Sequence, residues 1–271
     1  MSASQIKRVA IAGLGPIGIK VMQALDEGIP GLALTAVSVA HPEKPRPEID
    51  RLSRKPAMLP IDALARVADM VIECAPAALF ASIVRPFASG GKTAVVLSVG
   101  ALLQNWELVE EARRSGGQIV VPTGALIGLD AVTAAAQGDI RSVRMITRKP
   151  PEGLLGAPYV VQNHIDLEGL REARKIFDGT AREGARGFPA NVNVAAALAL
   201  AGIGPDRTRL EIWADPALDR NTHRIEVEAD SASFSMAIAN VPSDNPKTGR
   251  ITPLSVIAYL RKLNAPLRVG T

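Results

Sequence analysis

The first residues in this chain with evident chemical potential are Gly13-Leu14-Gly15-Pro16-Ile17-Gly18. They follow an apolar run, KRVAIA (Lys7 to Ala12), and precede a helical pattern, IKVMQALDEG. In such a turn the first glycine permits the sharp bend, the second admits close backbone approach to a pyrophosphate, and the third lets the helix lie close on the strand. Gly13, Gly15 and Gly18 stand at those places. Pro16 fits the first helical turn, where its missing N–H costs little. The free N–H groups of that turn and the positive end of the helix dipole favour an anion. The spacing and its context therefore predict a bound dinucleotide, held by Gly13, Gly15, Pro16, Ile17 and Gly18.

A second candidate is His223, one of three histidines with His41 and His164. It precedes Arg224-Ile225-Glu226-Val227-Glu228, an alternating strand whose charged members face water. His223 falls on the Ile225 and Val227 side. Read alone, it is either a satisfied core residue or a proton carrier suited to neutral pH. Cys74, the one cysteine, closes an apolar run at Glu73-Cys74-Ala75-Pro76. It reads first as a small buried residue. Ala75, at a strand end, could supply a backbone contact to the adenosine half of a dinucleotide.

Elements must position these groups. Through residue 121, short β-type runs alternate with helical patterns: Leu32 to Val39, Ala57 to Leu59, Met70 to Cys74, Thr93 to Ser98 and Gln118 to Val121 follow the first strand. A single helix is expected over Leu102 to Ser115. Six strands with helical crossovers predict a doubly wound parallel sheet, the Rossmann α/β architecture. Beyond Pro122 the pattern changes. Residues 140 to 148, Thr208 to Trp213, Arg224 to Glu228 and Ser233 to Ala239 alternate with period two, as in a sheet with one wet face. Val192 to Ala201 is apolar all round and reads as a buried helix. The expected organisation is a dinucleotide-binding domain over 1–121 and a smaller α/β domain with a mostly antiparallel sheet over 122–244. A C-terminal segment, 245–271, would carry a helix that packs back on the first domain.

Composition narrows the partners. Among 271 residues, 47% are hydrophobic and 3% aromatic, so the core must be aliphatic. A net charge of +4 suits anionic ligands, while the scattered Lys and Arg residues argue against a nucleic-acid surface. A single cysteine permits no internal disulfide and fits a reducing cytoplasm. The start, MSASQIK, has no apolar signal core, and no uncharged apolar stretch reaches about 18 residues, so no membrane span is expected. No metal is expected either.

More specific strings occupy the second half: VPTGALIGLDAV (Val121 to Val132), TRKPP (Thr147 to Pro151), FPANVNVAAALALAGIG (Phe188 to Gly204), ADPALDRNTHRIEVE (Ala214 to Glu228) and NPKTGRITPLS (Asn245 to Ser255). With the glycine turn, and in this order and spacing, they resemble the L-aspartate dehydrogenase family over nearly the whole chain. The resemblance implies a Rossmann domain plus a dimer-forming α/β domain. It implies oxidation of L-aspartate to iminosuccinate with NAD or NADP, the imine then feeding quinolinate and NAD synthesis or hydrolysing to oxaloacetate and ammonia. By the same resemblance, His223 is the catalytic residue, a homodimer is the expected assembly, and Ala125 and Asn191 contact the nicotinamide side of the cofactor. On its own terms, Asn191 could also cap the helix that follows it, and both roles can hold together.

Aspartate carries two carboxylates, so cationic donors are expected around it. Arg148 and Lys149 are the candidates, against the alternative of a solvated charge pair. Asn221 and Thr222 could orient His223, touch substrate or serve a turn. One departure stands out. NAD-binding turns of this type usually place an acid at the end of the second strand to hold the ribose 2′-OH. Here Ser38-Val39-Ala40-His41 occupies that place and no acid appears before Glu43. Without that repulsion, and with Ser38, His41, Lys44 or Arg46 nearby, NADP is expected to be accepted. Two other readings stay open: a related two-domain reductase with another substrate, and a cofactor-sensing protein without turnover.

Overall fold

The computed structural model describes residues 6–189, 192–243 and 249–270. It divides into two compact units: the described residues of Met1–Pro122 with Pro253–Arg268, and those of Thr123–Thr252 with Val269–Thr271.

The first unit is built on six parallel strands: β1 (Lys7–Ala12), β2 (Leu32–Ser38), β3 (Ala57–Met58), β4 (Met70–Glu73), β5 (Thr93–Val96) and β6 (Gln118–Val120). Their spatial order is β3-β2-β1-β4-β5-β6. This is the 3-2-1-4-5-6 order of dinucleotide-binding sheets, whose chain reversal beside β1 opens the ligand crevice at the carboxyl ends of the strands. All residues of β4 and β5 are buried, which is why they read as unbroken apolar runs rather than alternating ones. The helix Pro16–Gly28 turns Gly18, Val21, Met22 and Leu25 inward, a stripe of helical period. They meet Val9, Ile11, Val37, Met70 and Ile72 in one cluster, joined by Val256, Ile257 and Leu260 of the helix Ile251–Lys262.

One expected helix is two. Val99–Gln104 and Glu107–Ser115 are separated at Asn105. The Asn105 side chain donates to the Ala101 carbonyl at 2.8 Å, and its backbone leaves the helical region. A short amide side chain that competes for backbone partners interrupts a helix in this way.

The second unit carries β7 (Ile140–Lys149), β8 (Arg174–Thr180), β9 (Thr208–Ala214), β10 (Thr222–Ala229) and β11 (Ser233–Ala239), in the order β11-β10-β7-β9-β8. The sheet is mixed: β7 and β9 run parallel and the other neighbours antiparallel. Its inner face presents Val143 and Met145 of β7, Leu210 and Ile212 of β9, and Ile225 and Val227 of β10, all buried. The helices Leu129–Ala135, Ala181–Gly187 and Asn193–Ala201 pack over this face. Close approach is built in at Gly184, where a methyl would come within 2.6 Å of Leu210 Cδ2. The outer face carries charge: Arg144, Arg148, Arg224 and Glu226.

Candidate active site

In the first unit, the turn after β1 is set by steric necessity at Gly13 and Gly18. Gly13 has φ +94°, and a methyl on it would lie 2.5 Å from the Cys74 carbonyl oxygen and 2.9 Å from the Ala75 nitrogen. Its N–H donates to the Ser38 carbonyl at 2.8 Å, tying the turn to the end of β2. A methyl on Gly18 would strike the Gly13 carbonyl oxygen at 2.1 Å, so only glycine lets the helix come this close. Gly15 differs. It is exposed, and no atom of the protein lies within 4 Å of where its Cβ would be. The space above Gly15 is therefore open to a ligand. Gly15 is also the N-cap of Pro16–Gly28, with Pro16 in the first turn and no acidic residue there. An uncapped helix end with open backbone above it fits a pyrophosphate.

Ala75 is half-buried at the carboxyl end of β4, against Gly13. Just before it, the fully buried Glu73 carboxylate accepts from Leu97 N–H (3.1 Å), Ser98 N–H (2.9 Å) and Ser98 Oγ (2.9 Å). Burial pushes its pKa up and the three donors oppose that shift. Glu73 thereby pins the turn after β5 along the carboxyl edge of the sheet. Burial also raises the Cys74 thiol well above its ordinary value, so it is held as an unreactive thiol.

The second unit gathers a polar cluster at one end of an otherwise apolar sheet face. His223 of β10 stands directly opposite Thr147 of β7, and its Nδ1 lies 3.1 Å from Thr147 Oγ1. Lys149, two residues beyond Thr147, projects from the same face and is 4% exposed, as is His223. Burial and the positive charge of Lys149 lower the His223 pKa from 6.5 to about 3. Burial lowers Lys149 from 10.5 to about 8. At neutral pH the imidazole is uncharged. If Nδ1–H donates to Thr147 Oγ1, Nε2 is left as the acceptor, so the threonine can select the tautomer that takes up a proton.

Buried Asn240, just past β11, binds two segments to this end of the sheet. Its N–H donates to the Asn221 carbonyl (2.9 Å) and its Nδ2 to the Ala125 carbonyl (3.0 Å). Ala125, Asn221, Thr147, Lys149 and His223 are thus gathered at one end of the second sheet. Arg148 is not with them: it points to the outer face, where it pairs with Asp215 (3.3 Å) and stacks on Trp213 at 5.0 Å. Asn191 lies outside the described residues.

Comparison with known proteins places these features in a lineage. The model of the C-terminal domain of aspartate dehydrogenase matches residues 130–263, and that of the NAD-binding domain of homoserine dehydrogenase matches residues 13–122. The L-aspartate dehydrogenase of Bradyrhizobium diazoefficiens is 62% identical over 100% of this chain and 96% of its own length. The chain belongs to the L-aspartate dehydrogenase family. L-aspartate dehydrogenase 3 of Bordetella bronchiseptica is 54% identical over the whole of both chains. The crystal structure of aspartate dehydrogenase from Thermotoga maritima shares the fold, with a TM-score of 0.74 at 22% identity, over 97% of this chain and 99% of that one.

Three residues of this family member escaped the reading of its sequence. Thr147 lay within a quoted string, TRKPP, yet only strand pairing across 76 positions sets it against His223. Asn240 follows a strand in a stretch that reads as a simple turn. Glu73 was visible as an acid inside an apolar run, MVIEC, and a charge in a buried strand is a signal in itself.

Proposed function

We propose that this protein is an NAD(P)-dependent L-aspartate dehydrogenase, oxidising the CH–NH2 group of L-aspartate to iminosuccinate. Family membership across the full chain supports the reading. The observation that carries it is the buried, neutral His223 held by Thr147 beside the Lys149 ammonium. When bound, a nicotinamide cofactor would supply the acceptor for the hydride lost from the substrate α-carbon. The cradle for its pyrophosphate is Gly13, Gly15, Pro16, Ile17 and Gly18, with Ala75 beside the turn, and the family resemblance assigns Ala125 and Asn191 to the nicotinamide side.

His223 supplies the proton chemistry. Hydride can leave the α-carbon only when the amine can donate its electron pair, so the substrate ammonium must first lose a proton. Nε2 of His223 takes that proton. With a pKa of about 3 the imidazole is a poor base, but a substrate carboxylate beside it offsets the Lys149 charge and raises its basicity. The same imidazole can then activate water when the imine hydrolyses to oxaloacetate and ammonia. Asn221, two residues before the imidazole and bound through its carbonyl to Asn240 N–H, is assigned to the substrate.

Ser38 ends β2 where an acid would exclude a 2′-phosphate, so NADP is accepted alongside NAD. The protein works in the cytoplasm as a homodimer. The family resemblance supports the dimer, and the free Cys74 fits a reducing compartment. Among the described residues no helix is long and apolar enough to cross a membrane.

One assay tests the whole reading. Purified protein is mixed with NAD or NADP and a panel of L-amino acids, and absorbance of the reduced nicotinamide is followed. Turnover confined to aspartate is expected. Turnover with another substrate favours a related reductase, and tight cofactor binding with no turnover favours a sensor.

A further inference from the structure

We propose that Asn240 is a positioning residue for the nicotinamide half of the cofactor: its side-chain amide fixes the turn at Ala125 so that the Ala125 N–H is presented to the nicotinamide carboxamide. The proposal rests on the dinucleotide reading above and names the side chain that shapes that contact.

Ala125 lies in a stretch without helix or strand, between Gly124 and Gly128, both of positive φ. An alanine side chain offers no polar atom, so Ala125 can meet a polar ligand only through its backbone. Its carbonyl is already committed, to Asn240 Nδ2 at 3.0 Å. The next N–H, of Leu126, is committed to the Thr123 carbonyl at 3.1 Å. Both polar groups of the Ala125–Leu126 peptide are thereby held. The Ala125 N–H differs: it donates to no protein group among the described residues, and Ala125 is only half-buried. A donor without a partner at such a place suits an acceptor oxygen, and the carboxamide oxygen is the acceptor that a nicotinamide ring carries.

Asn240 ties this turn to the strand of the base. It stands two positions beyond Ile238, the register partner of His223, and its own N–H donates to the Asn221 carbonyl. The other end of the turn rests on β11 as well, since a methyl on Gly128 would strike Met236 Sδ. Stability alone does not explain an amide here. Asn240 is 5% exposed, and its Oδ1 has no hydrogen-bond partner among the described residues. A buried amide with an unpaired oxygen is a poorer packing element than a leucine of nearly the same shape. What the amide adds is the Nδ2 donor, and that donor goes to Ala125.

The test uses Asn240→Leu, which keeps the approximate shape and removes the donor. Asn240→Asp is the second variant, whose ionised carboxylate cannot donate to the carbonyl. NADH and ADP-ribose, with NADPH and 2′-phospho-ADP-ribose as a second pair, are titrated calorimetrically into the parent and each variant. ADP-ribose is the cofactor without its nicotinamide. The dissociation constant of the reduced cofactor should rise about tenfold in both variants. That of the nicotinamide-free ligand should stay within about twofold, because the glycine turn is untouched. A merely structural amide would move both ligands together or neither. The Tm of Asn240→Leu should stay within about 4 °C of the parent. Equal changes for the two ligands, no change for either, or loss of the folded state in both variants overturns the proposal. These titrations contain no amino acid, so they are decided apart from the reaction. A parent that shows the expected split but oxidises no aspartate loses the assigned reaction and keeps the role of Asn240. A parent that oxidises aspartate while Asn240→Leu binds the reduced cofactor as tightly as before keeps the reaction and loses that role.

Discussion

In the proposed function, the glycine turn of the first unit and the histidine cluster of the second both serve a ligand, by opposite means. The turn uses six consecutive residues, exposes backbone N–H groups and keeps side chains away: above Gly15 the chain leaves open space. The cluster uses side chains from positions 147, 149 and 223, buries them, and places them on a face that is otherwise Val, Met, Leu and Ile. A pyrophosphate already carries its charge, so a static set of donors suffices to hold it. Moving a proton requires a group whose charge can change, and burial is what makes that charge responsive to its neighbours. On that proposal the binding element is local and wet, while the proton-handling element is non-local and dry.

The sharpest break of this contrast is at the imidazole. His223→Ala should lower kcat for aspartate by about a thousandfold, within the span usual for a general acid–base group, while cofactor dissociation constants stay within about threefold. A variant that retains the full rate removes His223 from the chemistry.

The glycines come next, and two of them should separate. Gly18→Ala forces a methyl against the Gly13 carbonyl and should destabilise the fold by about 3 kcal/mol in denaturant titrations. Gly15→Ala meets no protein atom, so its folding stability should stay within about 1 kcal/mol while dinucleotide affinity falls about tenfold or more. Equal losses of stability in both variants would mean that the space above Gly15 is not reserved for a ligand.

The dry character of the cluster has its own signature in pH. An unfolded imidazole titrates near 6.5 and the folded one near about 3, so between these values the unfolded chain holds the additional proton. Stability therefore rises with pH across that window and is lost on acidification. From pH 7 to 4 the parent should lose on the order of a few kcal/mol more than His223→Gln does. Denaturant curves at pH 7, 5 and 4 measure the difference, and parallel losses in the two chains would contradict a buried neutral imidazole.

The smallest effect is expected on the outer face. Arg148→Ala breaks a half-exposed pair with Asp215 and a stack on Trp213, so stability should change by no more than about 1 kcal/mol and the KM for aspartate by no more than about twofold. A large rise in KM would bring Arg148 into substrate binding.

Legibility followed the same division. The parallel sheet announced itself because buried strands such as Met70–Glu73 and Thr93–Val96 are continuous apolar runs punctuated by helices. Strand β8 did not. Its RKIFDGT alternates poorly, and its register with β9 shifts between Lys175 and Phe177. The break at Asn105 was equally hidden, since an asparagine within a helical pattern interrupts it only when its amide finds a backbone carbonyl.

The sequence by itself determined the dinucleotide turn, the sheet that carries it and the inward side of His223, because each depends on spacing within a few residues. Tertiary structure alone decided which of Arg148 and Lys149 shares a face with the imidazole, and that Thr147 holds its ring. Those facts follow from the register between β7 and β10. Side chains alternate with a period of two, so the face on which a charge lies depends on pairing with a strand far away in the chain.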